Sequence, residues 1–481
     1  MKIHRQASKI LAGALALVCI GQAALADWEY TPGKGIKIDI AEGKAFTAAF
    51  DVRVRLTHID RNVIWPEGPP VAALNGDALE WLRVRTRLSL GLDLWDGAKL
   101  NARFVNRMHN YSSHFIDEND NGAATWQYPD EIIVDQLKLT TGLGIEGLSA
   151  TLGRQAFILG NGMVMLEGTP YDQGRTIYFD GLAIRYKNEC DAIALFAFYN
   201  EAEDEFVVAG DEDRVLRRGD IFTTGIDWTH TFNNSLSSEL YYIYANVDDN
   251  DTTMGMREFP ANSNAELHTV GARLFGSPHE RLDYSIEVAH MFGEYDESPA
   301  VGGSSSYAME TDLDAWLVDA RLTFKSPEAA LSPVVMLQYT YFSGDDPDTD
   351  DFEGWDGLFA NYPIFREELI PILNNGNWTN LHQFRLQGTA TLYSNPERKL
   401  FQSVRLTGTA AYLMADDADT AMTSGGGTGD SHFGDLFTAF LDVKVNDYIS
   451  VSLEAAAFRP GDYWTDGSES EWLRFQTIFA F

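Results

Sequence analysis

The chain has 481 residues, of which 71 are acidic and 36 are basic, so its formal net charge is −35 at pH 7. This acidity argues against a nucleic-acid partner, because the phosphates would be repelled. Aromatic residues make up 12% of the sequence, a share that argues equally against a disordered chain.

Residues 1–26 are typical of a secretory signal peptide. Three basic residues precede an apolar run at 10–20, and Ala-Leu-Ala at 24–26 supplies the cleavage site. The run is too short to span a bilayer as a helix, and no later stretch offers roughly 18 consecutive apolar residues. The segment 27–45 is predicted to be a periplasmic lead-in or a plug for a pore, and 46–481 to be the body of the protein.

Strand-like segments run through the rest of the chain, and no amphipathic helix interrupts them. The clearest is 82–94, where the even positions are Leu, Val or Thr and the first three odd positions are Arg83, Arg85 and Arg87. Successive side chains of a strand point to opposite faces, so this segment has one apolar and one cationic face. Eighteen segments are predicted, at 46–57, 79–94, 98–110, 131–140, 147–156, 175–187, 190–199, 221–232, 236–246, 266–275, 281–292, 313–324, 332–342, 380–393, 400–413, 433–446, 448–458 and 471–481.

The connections between these segments alternate in length. Those after even-numbered segments are turn-like, as at Asp96-Gly97, whereas those after odd-numbered segments are long, up to 343–379. Bacterial outer-membrane barrels have short periplasmic turns, long outer loops and an even number of strands. The sequence therefore predicts an all-β fold, an 18-stranded antiparallel transmembrane β-barrel that is surrounded by lipid in the bacterial outer membrane.

Basic residues fall on the polar face of their segments. An arginine on the lipid face would cost roughly 2–4 kcal/mol at the membrane midplane, so in a barrel these side chains turn to the lumen. Rings of Arg and Lys select for anions. Carboxylates share the same faces, however, and the alternative is that ion pairs only brace the wall. The residues that this alternation predicts to line the pore include Arg53, Arg55, Arg83, Arg85, Arg87, Arg103, Arg107, Lys138, Arg321, Arg385 and Arg405.

Other chemistry is sparse in the sequence. Asp117, Asn119 and Asn121 match the first half of a calcium-loop pattern, but Tyr128 occupies the bidentate position, so a hydrated acidic loop is the alternative. No nucleophile elbow, zinc-binding His pair or phosphate loop appears. We therefore expect no enzyme and no cofactor, apart from a possible structural Ca²⁺ in the acidic loops.

The sequence contains several short motifs: Leu152-Gly153-Arg154-Gln155, Thr169-Pro170-Tyr171, Phe179-Asp180-Gly181-Leu182 and the Arg-x-Arg pairs at 53/55 and 83/85. Together they resemble the alginate export porin family. The resemblance implies an outer-membrane barrel of eighteen strands whose arginine-rich lumen conducts an anionic uronate polysaccharide outward. Carried over by position, it implies a constriction formed by Arg83, Arg85, Arg103, Arg154 and Asp180. Asp180 shares its strand parity with Leu182, which would turn it toward lipid unless a bulge intervenes.

These observations predict a monomeric outer-membrane channel that passes an anionic polysaccharide or oligosaccharide, with possible periplasmic secretion partners. One alternative is an uptake porin for small carboxylates or sugars. Another is a surface scaffold barrel whose lumen is closed by charge pairing and does not conduct.

Overall fold

The computed structural model describes residues 27–31, 33–60, 79–95, 97–111, 125–127, 132–166, 178–202, 204, 206–209, 219–248, 264–296, 310–357, 359–360, 365–366, 369–370, 378–420, 426–465 and 467–481. The predicted signal peptide and the calcium candidates Asp117, Asn119 and Asn121 lie outside these residues. No helix within the described ranges is long and apolar enough to cross a membrane.

Twenty-two strands make up the described fold. They are β1 (Asp27–Thr31), β2 (Gly35–Ala41), β3 (Lys44–Asp60), β4 (Leu79–Trp95), β5 (Ala98–Tyr111), β6 (Thr125–Gln127), β7 (Ile132–Gly142), β8 (Leu148–Gln155), β9 (Phe179–Lys187), β10 (Asp191–Asn200), β11 (Val207–Ala209), β12 (Asp220–Asn233), β13 (Leu236–Asp248), β14 (Ala265–His279), β15 (Leu282–Tyr295), β16 (Thr311–Lys325), β17 (Val334–Phe342), β18 (Leu381–Ser394), β19 (Ser403–Met414), β20 (His432–Lys444), β21 (Ile449–Pro460) and β22 (Ser470–Ala480).

Eighteen of these strands close into one antiparallel barrel. They are β3 to β5, β7 to β10 and β12 to β22, each paired with its neighbour along the chain. The last strand pairs with the first, with Gln476 of β22 opposite Arg55 of β3, so the sheet has no open edge. The predicted 18-stranded barrel is confirmed, and every predicted segment corresponds to one of these strands.

The remaining four strands are short additions to the wall. β1 and β2 form a hairpin, and β2 pairs with β3 over Lys44–Ala48, next to the stretch of β3 that pairs with β22. The role predicted for 27–45, a lead-in or a plug, stays a prediction. β6 extends the edge of β5, and β11 pairs with β7.

The connections alternate as the sequence predicted. Those after β4, β7, β9, β12, β14, β16, β18 and β20 contain two to eight residues, and together they form what we call the short-turn rim. The opposite end carries the long loops. Cys190 lies in the turn between β9 and β10 and is exposed, so it marks the short-turn rim.

Side chains alternate between the two faces of the wall. In β13, Glu239 and Tyr241 are buried, whereas Leu240 between them is 49% exposed on the outside of the barrel. Outward-facing apolar side chains of this kind surround the barrel, as expected where lipid replaces water.

Two long loops fold into the barrel and fill part of it. The first, after β8, carries Phe157, Leu159 and Met163, all buried against side chains from the wall. The second follows β17 and includes Phe359, whose backbone forms a bridge with Met165 of the first loop. The hydrophobic core of this protein therefore lies inside the barrel, where side chains of these loops pack against inward-facing side chains of the strands.

Candidate functional site

A cluster of arginines occupies the inner face of four adjacent strands, and we call it the arginine wall. It consists of Arg53 and Arg55 on β3, Arg83, Arg85 and Arg87 on β4, Arg103 and Arg107 on β5, and Arg474 on β22. The side chains that alternate with them on β3 and β4 include Leu56 and Leu88, which are exposed on the outside. Strand periodicity thus places these guanidinium groups on the inner face.

Cross-strand register brings several of these arginines directly opposite one another. Arg53 lies opposite Arg85, and Arg85 in turn lies opposite Arg107. Arg55 and Arg83 form a second such pair. Like charges in these positions destabilise a sheet unless counter-charges or polar partners offset them.

Polar partners hold the arginine wall in shape. Asp51 binds Arg87 at 2.8 Å and lies 3.6 Å from Arg85, and Asp135 binds Arg103 at 2.8 Å. Asp135 is the extra residue of a β-bulge, because Arg103 pairs with Gln136 and the next residue, Phe104, pairs with Val134. The bulge turns the Asp135 carboxylate inward, where it is 1% exposed.

Two further contacts fix the β22 side of the wall. Gln476 accepts two hydrogen bonds from Arg55, at 3.1 Å and 2.7 Å. Glu454 of β21 lies 3.6 Å from the Arg474 guanidinium. The alternation of Leu473 and Phe475 with Arg474 would have identified Arg474, which sequence reasoning left out of the pore-lining set.

The wall across the barrel is acidic and is covered by the first inward loop. Gly160 donates its backbone N–H to Glu239 at 3.0 Å, and Asn161 donates its own to Glu287 at 2.6 Å. The Asn161 side chain donates to Asp319 at 2.8 Å. The loop tip therefore donates hydrogen bonds to carboxylates of β13, β15 and β16.

Two arginines also bind side chains of this acidic wall and of the loop tip. Arg273 donates to Glu239 at 2.6 Å and to the Asn161 side-chain oxygen at 2.9 Å. Arg321, predicted to line the pore, lies beside Asp319 at 2.7 Å on β16. Arg321 thus belongs to the acidic wall and is not part of the arginine wall.

Gly160 is required for the loop to approach so closely. Its φ of +59° lies in the left-handed region, and a Cβ on it would stand 2.2 Å from the Glu287 carboxylate. Any other residue would be strained there and would also push the tip off the wall.

The second inward loop anchors a cation deep in the barrel. Arg366 donates to both oxygens of Asp442, at 2.9 Å and 2.5 Å, and to Glu454 at 2.7 Å. Burial alone would lower the pKa of Arg366, but the hydrogen bond with Asp442 and the charge of Glu454 raise it. Arg385 of β18 lies over the Phe365 ring of the same loop, 5.0 Å from its centroid.

Arg154 and Asp180, which the resemblance assigned to the constriction, bind each other in the wall itself. Arg154 donates to Asp180 at 2.7 Å, to Asp204 at 3.0 Å and to the carbonyl of Val134 at 2.8 Å. This cluster lies where β8 ends and the chain turns inward. There the Phe206 carbonyl accepts a backbone hydrogen bond from Val134, and Val207 and Ala209 pair with β7.

The parity of both residues follows the outward face. Arg154 and Asp180 are opposite each other in register and share their parity with Leu152, which is 58% exposed. No bulge separates Asp180 from Leu182 in the pairing of β9 with β8. The pair therefore braces the wall and lies apart from the arginine wall.

Two other predicted pore residues lie at different heights. Lys138 of β7 faces inward beside Arg103, since its partner in β5 is Asn101. Arg405 lies at the start of β19, close to the short-turn rim, and is exposed. Within the described ranges no group of three or more His, Cys, Asp or Glu is arranged to hold a metal. The calcium prediction stays a prediction.

Several crystal structures of Pseudomonas aeruginosa proteins have a similar fold. The crystal structure of Pseudomonas aeruginosa OccK7 (OpdD) is similar with a TM-score of 0.52 at 13% identity, covering 91% of this chain and 98% of that one. Pseudomonas aeruginosa OccK5 (OpdH) has a TM-score of 0.51 at 12% identity, covering 90% of this chain and 98% of that one. OpdL from the same organism has a TM-score of 0.51 at 13% identity, covering 91% of this chain and 98% of that one.

A search among curated proteins finds no match to the sequence. The family model for alginate export matches residues 134–474, which is well over half of the chain and includes thirteen of the eighteen barrel strands in full and parts of two more. The matched range contains Arg154 and Asp180. The protein is therefore an outer-membrane β-barrel that belongs to the alginate export family.

Proposed function

We propose that this channel passes an anionic saccharide, a polysaccharide or oligosaccharide of the uronate type, along the arginine wall. The observation that carries the proposal is the row formed by Arg53, Arg85 and Arg107 across three adjacent strands. Successive cationic positions let an anion bind weakly at one and move to the next.

The asymmetry of the interior supports the same proposal. The carboxylates of the acidic wall bind Gly160, Asn161 and neighbouring arginines. They therefore repel an anion less than carboxylates without such partners would. The arginine wall lies on the other side of the barrel. An anionic chain would thus meet attraction on one side and a largely neutralised surface on the other.

The remaining parts of the proposal concern what the channel acts with. The eighteen strands of the closed wall have no free edge for a second copy to pair with, and the free edges of β1 and β6 are only five and three residues long, which supports a monomer. Membrane lipid covers the outer face, and periplasmic secretion partners would act at the short-turn rim. We assign no catalytic role, because the family and the fold are those of a transporter.

Permeation through liposomes tests this function. Purified protein in liposomes should release trapped uronate trisaccharide faster than a neutral trisaccharide of the same length. Arg83, a partly exposed member of the arginine wall, is the residue to change: Arg83→Ala should slow uronate release about tenfold, the effect of one lost hydrogen bond to a charged group, and leave neutral release unchanged. Arg459, which is on the outer face and binds Glu469 at 3.2 Å, provides the matched control. An uptake porin would instead release small carboxylates in preference to the trisaccharide. A scaffold barrel would release no trapped solute.

A further inference from the structure

A separate cavity of about 490 Å³ opens inside the barrel at the short-turn rim. Its walls are the first residues of β19 and β21 and the last of β20 and β22, and Arg366 of the second inward loop lies above it. The volume is within the range of small-molecule sites in proteins. The cavity borders the arginine wall, because its lining residues Gln476 and Ile478 lie opposite Arg55 and Arg53 in strand register.

The cavity contains the guanidinium group of Arg405, whose partner in strand register already binds another arginine. In the register of β19 and β20, Arg405 is directly opposite Asp442. Both oxygens of Asp442 accept from Arg366 instead. In the part of the chain that the structure describes, no carboxylate forms an ion pair with Arg405, and its side chain is exposed to the cavity.

The other cation of this cavity is already engaged. Lys444 donates to Asp447 in the neighbouring turn at 2.9 Å, and this hydrogen bond lowers the pKa of the Asp447 carboxyl. Arg405 is therefore the cation in the cavity that is positioned to bind an incoming anion.

Neutral polar groups complete the lining. Ser403 flanks Arg405, Ser450 and Ser452 follow on β21, and Gln476 lies on β22. Hydroxyl and amide groups suit the hydroxyls of a sugar ring, which both donate and accept hydrogen bonds. Gln476 also accepts from Arg55, so one end of the cavity touches the arginine wall.

We propose that this cavity binds a single hexuronate unit of the saccharide at the short-turn end of the channel. Arg405 binds the uronate carboxylate through its two-pronged guanidinium, and the side chains of Ser403 and Ser450 bind the ring hydroxyls. Arg366, held by Asp442 and Glu454, forms the inner boundary of the site. This inference rests on the proposed function, because it names the position at which the saccharide first binds on one side.

Sided block of single channels tests the site. The full-length protein is inserted in a planar bilayer, and its orientation is read from the side at which a bulky, impermeant maleimide reacts with Cys190. A uronate trisaccharide added at the Cys190 side should interrupt the current, and a neutral trisaccharide should not. Arg405→Ala should raise the blocking concentration about tenfold on that side only. Arg405→Lys should restore part of the block, since it keeps the charge without the two-pronged geometry.

The matched control is Arg398→Ala. Arg398 lies on the same rim in the turn after β18 and bonds Tyr393 outside the cavity, so its loss should leave the block unchanged. Unchanged block in Arg405→Ala, or equal block by the neutral sugar, overturns the site. Anion selectivity that persists in Arg405→Ala leaves the proposed function standing in either case. A wild-type channel without anion preference would instead contradict the proposed function.

Discussion

Replacing residues 158–164 with a short glycine–serine linker is expected to raise single-channel conductance severalfold. These residues cross the interior and bind the far wall through Gly160 and Asn161. Their removal widens the passage, so the current increases. It also uncovers Glu239 and Glu287, so the preference for anions should weaken at the same time.

A point variant separates this effect from general loosening of the barrel. Asn161→Ala removes the bonds to Asp319 and Arg273 but keeps the backbone contacts, and a smaller increase in current is expected. Asn264→Ala is the control, because Asn264 bonds Asp296 at the long-loop rim. Unchanged conductance in the linker variant, with the folded barrel intact on a gel, would contradict the inward position of the loop.

Arg154→Ala is expected to destabilise the folded barrel by about 3–5 kcal/mol, the cost of removing one partner of a buried ion pair. Arg154 is 4% exposed, and Asp204 is left buried without its cation when the guanidinium is lost. The Tyr178 ring, 3.4 Å from the guanidinium carbon, loses its contact as well. The free energy of unfolding is measured by urea titration in detergent micelles.

The comparison for this prediction is a surface pair. Arg281 contacts Glu328 at 3.4 Å in the exposed turns of the short-turn rim. Exposed pairs contribute about 0–1 kcal/mol, so Arg281→Ala should unfold at nearly the wild-type urea concentration. If Arg154→Ala were equally stable but lost its anion preference, Arg154 would be a pore residue, as the family resemblance implied.

The barrel was predictable because its signals are local. Alternation along 82–94 and the turn at Asp96-Gly97 depend only on neighbouring residues, and so do the other strands and short turns. The same alternation indicates that Arg474 faces the lumen. It also indicates that Arg154 shares the outward face with Leu152, although the predicted constriction followed the family resemblance and included Arg154.

The interior arrangement was not predictable from such signals. Gly160 meets Glu239, 79 residues further along the chain, and Asn161 meets Asp319, 158 residues away. Nothing in the sequence around Gly160 distinguishes a loop that folds inward from one that extends outward. For the same reason the sequence could not reveal that Asp442 binds Arg366 and not Arg405, which lies opposite it in strand register.

The most direct test of the arginine wall is the reversal potential of the wild-type channel in a planar bilayer under a steep KCl gradient. We predict a reversal potential of the sign that marks chloride preference, and a decrease in this preference as salt rises and screens the guanidinium charges. A potential of the opposite sign, or a folded barrel that carries no current, would contradict an anion pathway along the arginines.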